Sequence, residues 1–80
     1  MSAHYLASEH RLLSEEESIE VLNREQVSLS QLPWIMESDP ALLVLRDEGT
    51  DVKIGDVIEI RRLGMSGHTL YYRRVIGNLW

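Results

Sequence analysis

Four arginines occur as two adjacent pairs in the last third of the chain, and their type and spacing suggest binding chemistry. Arg61-Arg62 and Arg73-Arg74 fall in two runs that are predicted to pair as strands, so we expect a basic patch at one end of a hairpin. Such a patch can contact nucleic-acid phosphates, form ion pairs with an acidic protein, or remain solvated and protect a sheet edge. One hypothesis is therefore a stand-alone nucleic-acid-binding domain that uses this arginine-rich hairpin.

No arrangement of side chains predicts catalysis. None of the serines lies in a nucleophile-elbow pattern, and Gly64-Met65-Ser66-Gly67 lacks the Gly-Lys-Ser/Thr ending of a phosphate-binding loop. His4 and His10 have no third metal ligand at a suitable spacing. We therefore expect no catalytic residue, no metal site and no cofactor.

The size and charge of the chain favour a protein partner. Its 80 residues carry a formal net charge of -5, whereas a free-standing nucleic-acid-binding domain is usually basic. A chain of this length buries only about 60% of its unfolded surface, and without cysteine it has no disulfide to compensate. The absence of cysteine also fits a reducing cytoplasm. Residues 1–20 contain no long apolar run, so we expect neither a signal peptide nor a membrane span.

The arginines lie on the predicted hairpin, which organises the rest of the chain. Residues 57–63 and 69–76 are rich in Val, Ile and Tyr, and they flank a segment that contains two glycines. Residues 53–56 form a turn before the first strand, with Gly55 supplying the unusual backbone angle. Leu79 and Trp80 form an apolar end that either folds back or contacts a partner.

The first predicted helix begins after Ser14. Ser14 and Glu17 have the spacing of a capping box, and the helix is expected to run to about Arg24. Ile19 and Leu22 are expected to face inward, because they are three positions apart.

Two further start signals follow. Ser28 and Gln31 repeat the capping pattern, and Pro33 ends this short helix within one or two turns. Trp34 belongs to an apolar cluster that suits either the core or an interface. Asp39-Pro40 then starts an apolar helical turn over residues 41–45, and residues 46–51 form a polar loop.

Several short stretches together resemble a known family. They are His4-Tyr5-Leu6 with His10, Ser14-Glu15-Glu16-Glu17, Gln31-Leu32-Pro33-Trp34-Ile35, Ser38-Asp39-Pro40-Ala41, Gly55-Asp56-Val57-Ile58, and Gly67 with Tyr72-Arg73 and Val75-Ile76. In this order and spacing they resemble a family of small archaeal DNA-directed RNA polymerase subunits, the equivalent of the C-terminal assembly domain of eukaryotic polymerase subunit 5. The resemblance extends from about His4 to Ile76.

Some positions depart from the family pattern and indicate a divergent member. Gln26 stands where glycine is usual, so the first helix must end without its customary residue. Arg74 replaces an apolar or aromatic residue, and the segment between Pro40 and Gly55 is longer than usual.

The resemblance implies an α+β fold, a small mixed β-sheet built on the C-terminal hairpin with short helices packed on one side, in a single domain over residues 1–80. It implies a non-catalytic, cytoplasmic subunit that docks on the largest polymerase subunit, supports assembly and transcription, and meets DNA only through the complex. Trp34 is expected to act as an apolar anchor and Arg73 as a charge-assisted donor. The expected partner-binding residues are Gln31, Leu32, Pro33, Trp34, Asp39, Pro40, Tyr72 and Arg73.

Overall fold

The structure is a computed structural model and describes residues 8–78. The strands are β1 (Ser8–Leu12), β2 (Trp34–Met36), β3 (Val57–Gly64) and β4 (Gly67–Ile76). The helices are α1 (Glu15–Glu25) and α2 (Pro40–Asp47), with a 3-10 helix at Leu29–Gln31. His4, Leu79 and Trp80 lie outside the described residues.

The predicted hairpin is confirmed and forms the centre of the sheet. β3 and β4 pair antiparallel around a two-residue turn at Met65-Ser66, where Gly67 adopts a φ of +114° that favours glycine. β1 pairs antiparallel with β3, whereas β2 pairs parallel with β4. The strand order is therefore β1-β3-β4-β2, and the expected mixed sheet and α+β class are confirmed.

Apolar side chains cover both faces at the base of the hairpin. Val57 packs with Val21 of α1, whereas Ile58 packs with Leu42 of α2. Neighbouring residues of a strand point to opposite faces. The expectation that the helices pack on one side is therefore corrected, because α1 and α2 bury their apolar residues against opposite faces of the sheet.

The capping box of α1 is present as predicted. Ser14 Oγ accepts a hydrogen bond from the Glu17 N–H at 3.1 Å, and Glu17 Oε1 accepts one from the Ser14 N–H at 2.9 Å. The prediction that Ile19 faces inward is wrong, since 52% of its surface is exposed. Val21 is the buried residue, with Leu22 partly buried beside it.

The end of α1 shows how the chain manages without a glycine. Gln26 adopts the left-handed conformation, with φ 57° and ψ 43°. This turn lets the Val27 N–H donate to the Leu22 carbonyl at 3.1 Å, which satisfies an unpaired carbonyl of the last helical turn. The backbone shape usual for glycine is therefore kept by a residue with a side chain.

Pro33 ends the short helix as predicted, and residues 34–36 continue as strand β2. The Pro33 carbonyl accepts a hydrogen bond from the Arg74 N–H at 2.9 Å. Because proline lacks an N–H, it can join the hydrogen bonds between β2 and β4 only through its carbonyl. At the start of the short helix, Gln31 Oε1 accepts a hydrogen bond from the N–H of the N-cap residue Ser28 at 2.8 Å.

Helix α2 begins at the predicted position but continues to Asp47, two residues beyond the predicted end. Arg46 therefore lies in the helix and not in the polar loop. It is four residues after the buried Leu42, so it lies on the same side of the helix. Its guanidinium donates to the Glu37 carbonyl at 2.5 Å and to the Val52 carbonyl at 3.2 Å, which ties both flanking segments to α2.

Candidate functional site

Most of the predicted partner-binding residues line two open grooves that meet at Arg73. The first, which we call the Pro33 groove, has a volume of about 320 Å³. Five of the predicted partner-binding residues line this groove, namely Gln31, Leu32, Pro33, Tyr72 and Arg73. Leu70 and Tyr71 line it as well. The structure therefore brings residues that are 40 positions apart in the sequence into one surface, through the pairing of β2 with β4.

The second groove, which we call the Arg62 groove, has a volume of about 360 Å³. Trp34, Asp39 and Arg73 come from the predicted set, and His10, Ile60 and Arg62 join them. Sequence reasoning did not include these last three. The signal that could have found them is strand alternation, because Ile60 and Arg62 are two positions apart on one face of β3.

Trp34 lines the Arg62 groove but not the Pro33 groove. It lies on the edge strand β2, directly after Pro33, and 45% of its surface is exposed. Its carbonyl accepts a hydrogen bond from Arg73 Nη1 at 3.2 Å. The structure therefore places Trp34 at the surface and not in the core, in contact with the arginine that was predicted to act with it.

Three of the predicted residues also have structural roles. Asp39 Oδ1 accepts a hydrogen bond from the Ala41 N–H at 2.9 Å and caps α2, and Pro40 is the exposed first residue of that helix. Pro40 lines neither groove. Leu32 is 9% exposed and packs in the cluster of Val57, so it supports the Pro33 groove from below.

Tyr72 belongs to a network of charged side chains beside the Pro33 groove. Its hydroxyl accepts a hydrogen bond from Arg24 at 2.9 Å and donates one to Glu59 at 3.3 Å. Glu59 also pairs with Arg11 at 3.3 Å. These contacts fix the Tyr72 ring, which packs partly buried against the cluster of Val57.

The charged network shifts the pKa of its members. The pKa of Glu17 is lowered, first by the hydrogen bond from the Ser14 N–H and then by the bond from Arg11. The pKa of Arg11 is raised by hydrogen bonds to Glu17 and Glu59. The Tyr72 hydroxyl raises the pKa of Arg24. Each of these three shifts favours the charged form of its own group.

The expectation of a basic patch at one end of the hairpin is wrong. Arg61 and Arg62 pair with Leu70 and Thr69 towards the turn, whereas Arg73 and Arg74 pair with Ile58 and Val57 at the open end. Alternation also divides each pair between the two faces. Arg61 is neutralised by an ion pair with Glu9, and Arg74 is half-buried with its Nε unpartnered among the described residues. The hypothesis of a nucleic-acid-binding hairpin relied on a continuous basic surface, and the four arginines do not form one.

Within residues 8–78, no three His, Asp or Glu side chains lie close enough together to hold a metal ion. Neither α1 nor α2 has the length and apolar character needed to cross a membrane. The two grooves offer a partner apolar contact, hydrogen bonding and ion pairing. Those are the properties of a small interaction domain.

Comparison with known proteins places this domain in a family. The profile of the family described as RNA polymerase Rpb5, C-terminal domain, matches residues 1–75. The chain therefore belongs to that family.

Curated relatives agree with this assignment. A Thermococcus celer protein named DNA-directed RNA polymerase subunit Rpo5 is 48% identical over 75 residues, which are 92% of this chain and 85% of the relative. Proteins of the same name are 47% identical in Thermococcus kodakarensis, over 91% of this chain and 84% of the relative, and 38% identical in Sulfurisphaera tokodaii, over 94% and 84%. These relatives bear out the expected relationship to archaeal polymerase subunits.

Proposed function

We propose that this chain is a non-catalytic subunit of DNA-directed RNA polymerase, which docks on the largest subunit and supports assembly and transcription. The observation that carries the proposal is the family match over residues 1–75, together with relatives that are named as polymerase subunits. The chain acts in the cytoplasm as a single domain and approaches DNA only through the complex. Its contribution is a surface for protein contact and not a reacting group.

The docking surface consists of the Pro33 groove and the adjoining Trp34 side chain. A half-exposed tryptophan beside a proline and an arginine is the type of residue cluster that dominates binding energy at protein interfaces. The Tyr72 ring is already fixed by Arg24 and Glu59, so little conformational freedom is lost when a partner binds. Gln31, Leu32, Pro33, Trp34, Asp39, Pro40, Tyr72 and Arg73 remain the proposed contact residues.

The proposal is tested by purifying the tagged chain from its own cells and measuring the large polymerase subunits that copurify. The large subunits should copurify with the wild-type chain in equimolar amounts. The double substitution Trp34→Ala with Arg73→Ala should reduce recovery at least about tenfold, because hot-spot truncations cost roughly 2 kcal/mol or more.

A matched control is Leu43→Ala, which removes an apolar side chain from the exposed part of α2, outside both grooves. This variant should copurify normally. Circular dichroism establishes that all variants are folded. Unchanged recovery with the folded double variant would overturn the proposed surface, and absence of polymerase subunits from the wild-type sample would overturn the proposed function.

A further inference from the structure

Arg62 and Arg73 differ from three other arginines of the sheet and α1 in having no acidic partner. Arg11, Arg24 and Arg61 each form an ion pair with a glutamate. Within residues 8–78, Arg62 and Arg73 form none at 4.0 Å or less. Both lie on the face of the hairpin that carries Ile58 and Ile60. Two uncompensated positive charges therefore share one face of an otherwise acidic protein.

Uncharged groups hold both guanidiniums over the Arg62 groove. The Arg62 guanidinium lies over the Tyr71 ring, 5.4 Å from its centroid, and such stacking orients the planar group. Arg73 donates to the Trp34 carbonyl at 3.2 Å. These contacts position the two side chains without neutralising them, so their charges stay available for a ligand.

The rest of the groove limits what that ligand can be. Ile35 and Ile60, both buried, form its apolar floor, whereas Trp34 borders it through the backbone carbonyl that Arg73 contacts. The lining also contains one carboxylate, that of Asp39, which is engaged as the cap of α2. A ligand must therefore bring negative charge to two arginines beside an apolar floor.

We propose that the Arg62 groove binds an extended acidic segment of a protein partner, with two carboxylates on Arg62 and Arg73. Arginine pairs with carboxylates through two parallel hydrogen bonds, which gives a specific geometry. Nucleic acid fits less well, because phosphate binding usually relies on many cations whereas this groove offers two arginines beside an aspartate. The inference rests on the proposed function in that the acidic segment belongs to a neighbouring polymerase subunit.

The test uses the full 80-residue chain and a synthetic probe. The probe is an octapeptide of alternating Glu and Thr, and the comparison ligands are the same peptide with Gln for Glu and an oligothymidylate of equal length. In nitrogen-labelled protein, the Glu peptide should shift the side-chain Nε–H signals of Arg62 and Arg73 and leave that of Arg61 in place. The Gln peptide should cause no such shift.

The variant Arg62→Gln should raise the Kd for the Glu peptide roughly tenfold, which corresponds to the loss of about one charge-assisted pair. Arg61→Gln is the matched control, because it removes an arginine from the adjacent position on the opposite face and should leave the Kd unchanged. Equal binding of the Gln peptide, no binding of the Glu peptide, or an equal loss in both variants would overturn the proposal. Tighter binding of oligothymidylate at the same salt concentration would instead assign the groove to nucleic acid.

Failure of this proposal can be told apart from failure of the proposed function. The peptide assay contains no polymerase, and Arg62 is not one of the proposed docking residues. If polymerase subunits copurify with the chain but the acidic peptide does not bind to the Arg62 groove, only the groove proposal is rejected. Peptide binding by a chain that recovers no polymerase would reject the polymerase assignment and keep the acidic ligand.

Discussion

Val57 and Ile58 are neighbours in β3, yet their side chains enter two separate hydrophobic clusters. Val57 is 2% exposed and packs beneath α1, whereas Ile58 is fully buried beneath α2. One short stretch of backbone therefore supports both halves of the core. Disturbance at either residue should reach the sheet, because β3 pairs with β1 on one side and β4 on the other.

We expect Ile58→Ala to destabilise the protein by about 2–5 kcal/mol, because it leaves a cavity in a fully buried site. In a domain of this size, that loss should unfold a large fraction of the molecules. Urea denaturation of the variant and the wild type measures the difference. Ile54→Ala is the control, since Ile54 is 63% exposed and its truncation should cost roughly 0.5 kcal/mol or less. Similar losses in both variants would contradict the assigned core.

Gln26→Gly should stabilise the protein by about 0.5–1 kcal/mol. The left-handed conformation seen at Gln26 costs a non-glycine residue roughly 1–2 kcal/mol, and the greater freedom of glycine in the unfolded chain offsets part of this gain. The urea midpoint should therefore rise. Asn23→Gly, placed inside the same helix, should instead lower the free energy of unfolding by about 0.3 kcal/mol. A lower midpoint for Gln26→Gly would show that the side chain makes a compensating contact.

Stability should fall in acid partly through Glu17. Its pKa is lower in the folded protein than the ordinary value of 4.5, first because of the Ser14 N–H and then because of Arg11. A lowered pKa contributes stability above the unfolded value, and this contribution is lost as the pH falls through the folded value. Melting temperatures between pH 6 and pH 3 should therefore depend less on pH in Glu17→Gln than in the wild type, because one group whose proton binding changes on unfolding has been removed. An equal pH dependence of the melting temperature in both proteins would show that the Glu17 carboxylate does not contribute to the loss of stability in acid.

Tyr72→Phe should lower the urea midpoint slightly while leaving the m-value unchanged. The substitution removes the hydroxyl that joins Arg24 to Glu59 but keeps the ring in the cluster of Val57. In an Arg24→Gln background the effect of Tyr72→Phe should shrink, since one of the two hydroxyl contacts is already gone. Additive effects of the two substitutions would mean that the hydrogen bond contributes no coupling energy.

Local rules were sufficient to predict several elements from the sequence. The Ser14 capping box, the Asp39-Pro40 helix start and the hairpin each depend on residues that are close in the chain, so their spacing carries the whole signal. The family resemblance identified the mixed sheet. It placed both helices on one side of the sheet, whereas they pack on opposite faces.

The errors concern contacts between distant residues. Ile19 and Val21 are both apolar and two positions apart in α1, and only the direction of approach to the sheet decides which of them is buried. The two arginine pairs lie apart because the strand register separates them along the hairpin, and composition does not reveal that register. The charge of Arg46 suggested a solvated loop residue, whereas its guanidinium donates hydrogen bonds to two backbone carbonyls.

The strand order also determines when the protein can fold during its synthesis. The edge strands β1 and β2 are made first, and both must wait for the central hairpin, which begins at Val57. Until then α1 and α2 have no sheet against which to bury Val21 and Leu42, and helices this short are marginal alone in water. The core therefore forms only after most of the chain has left the ribosome, and a growing chain exposes its apolar helical residues to chaperones throughout that interval.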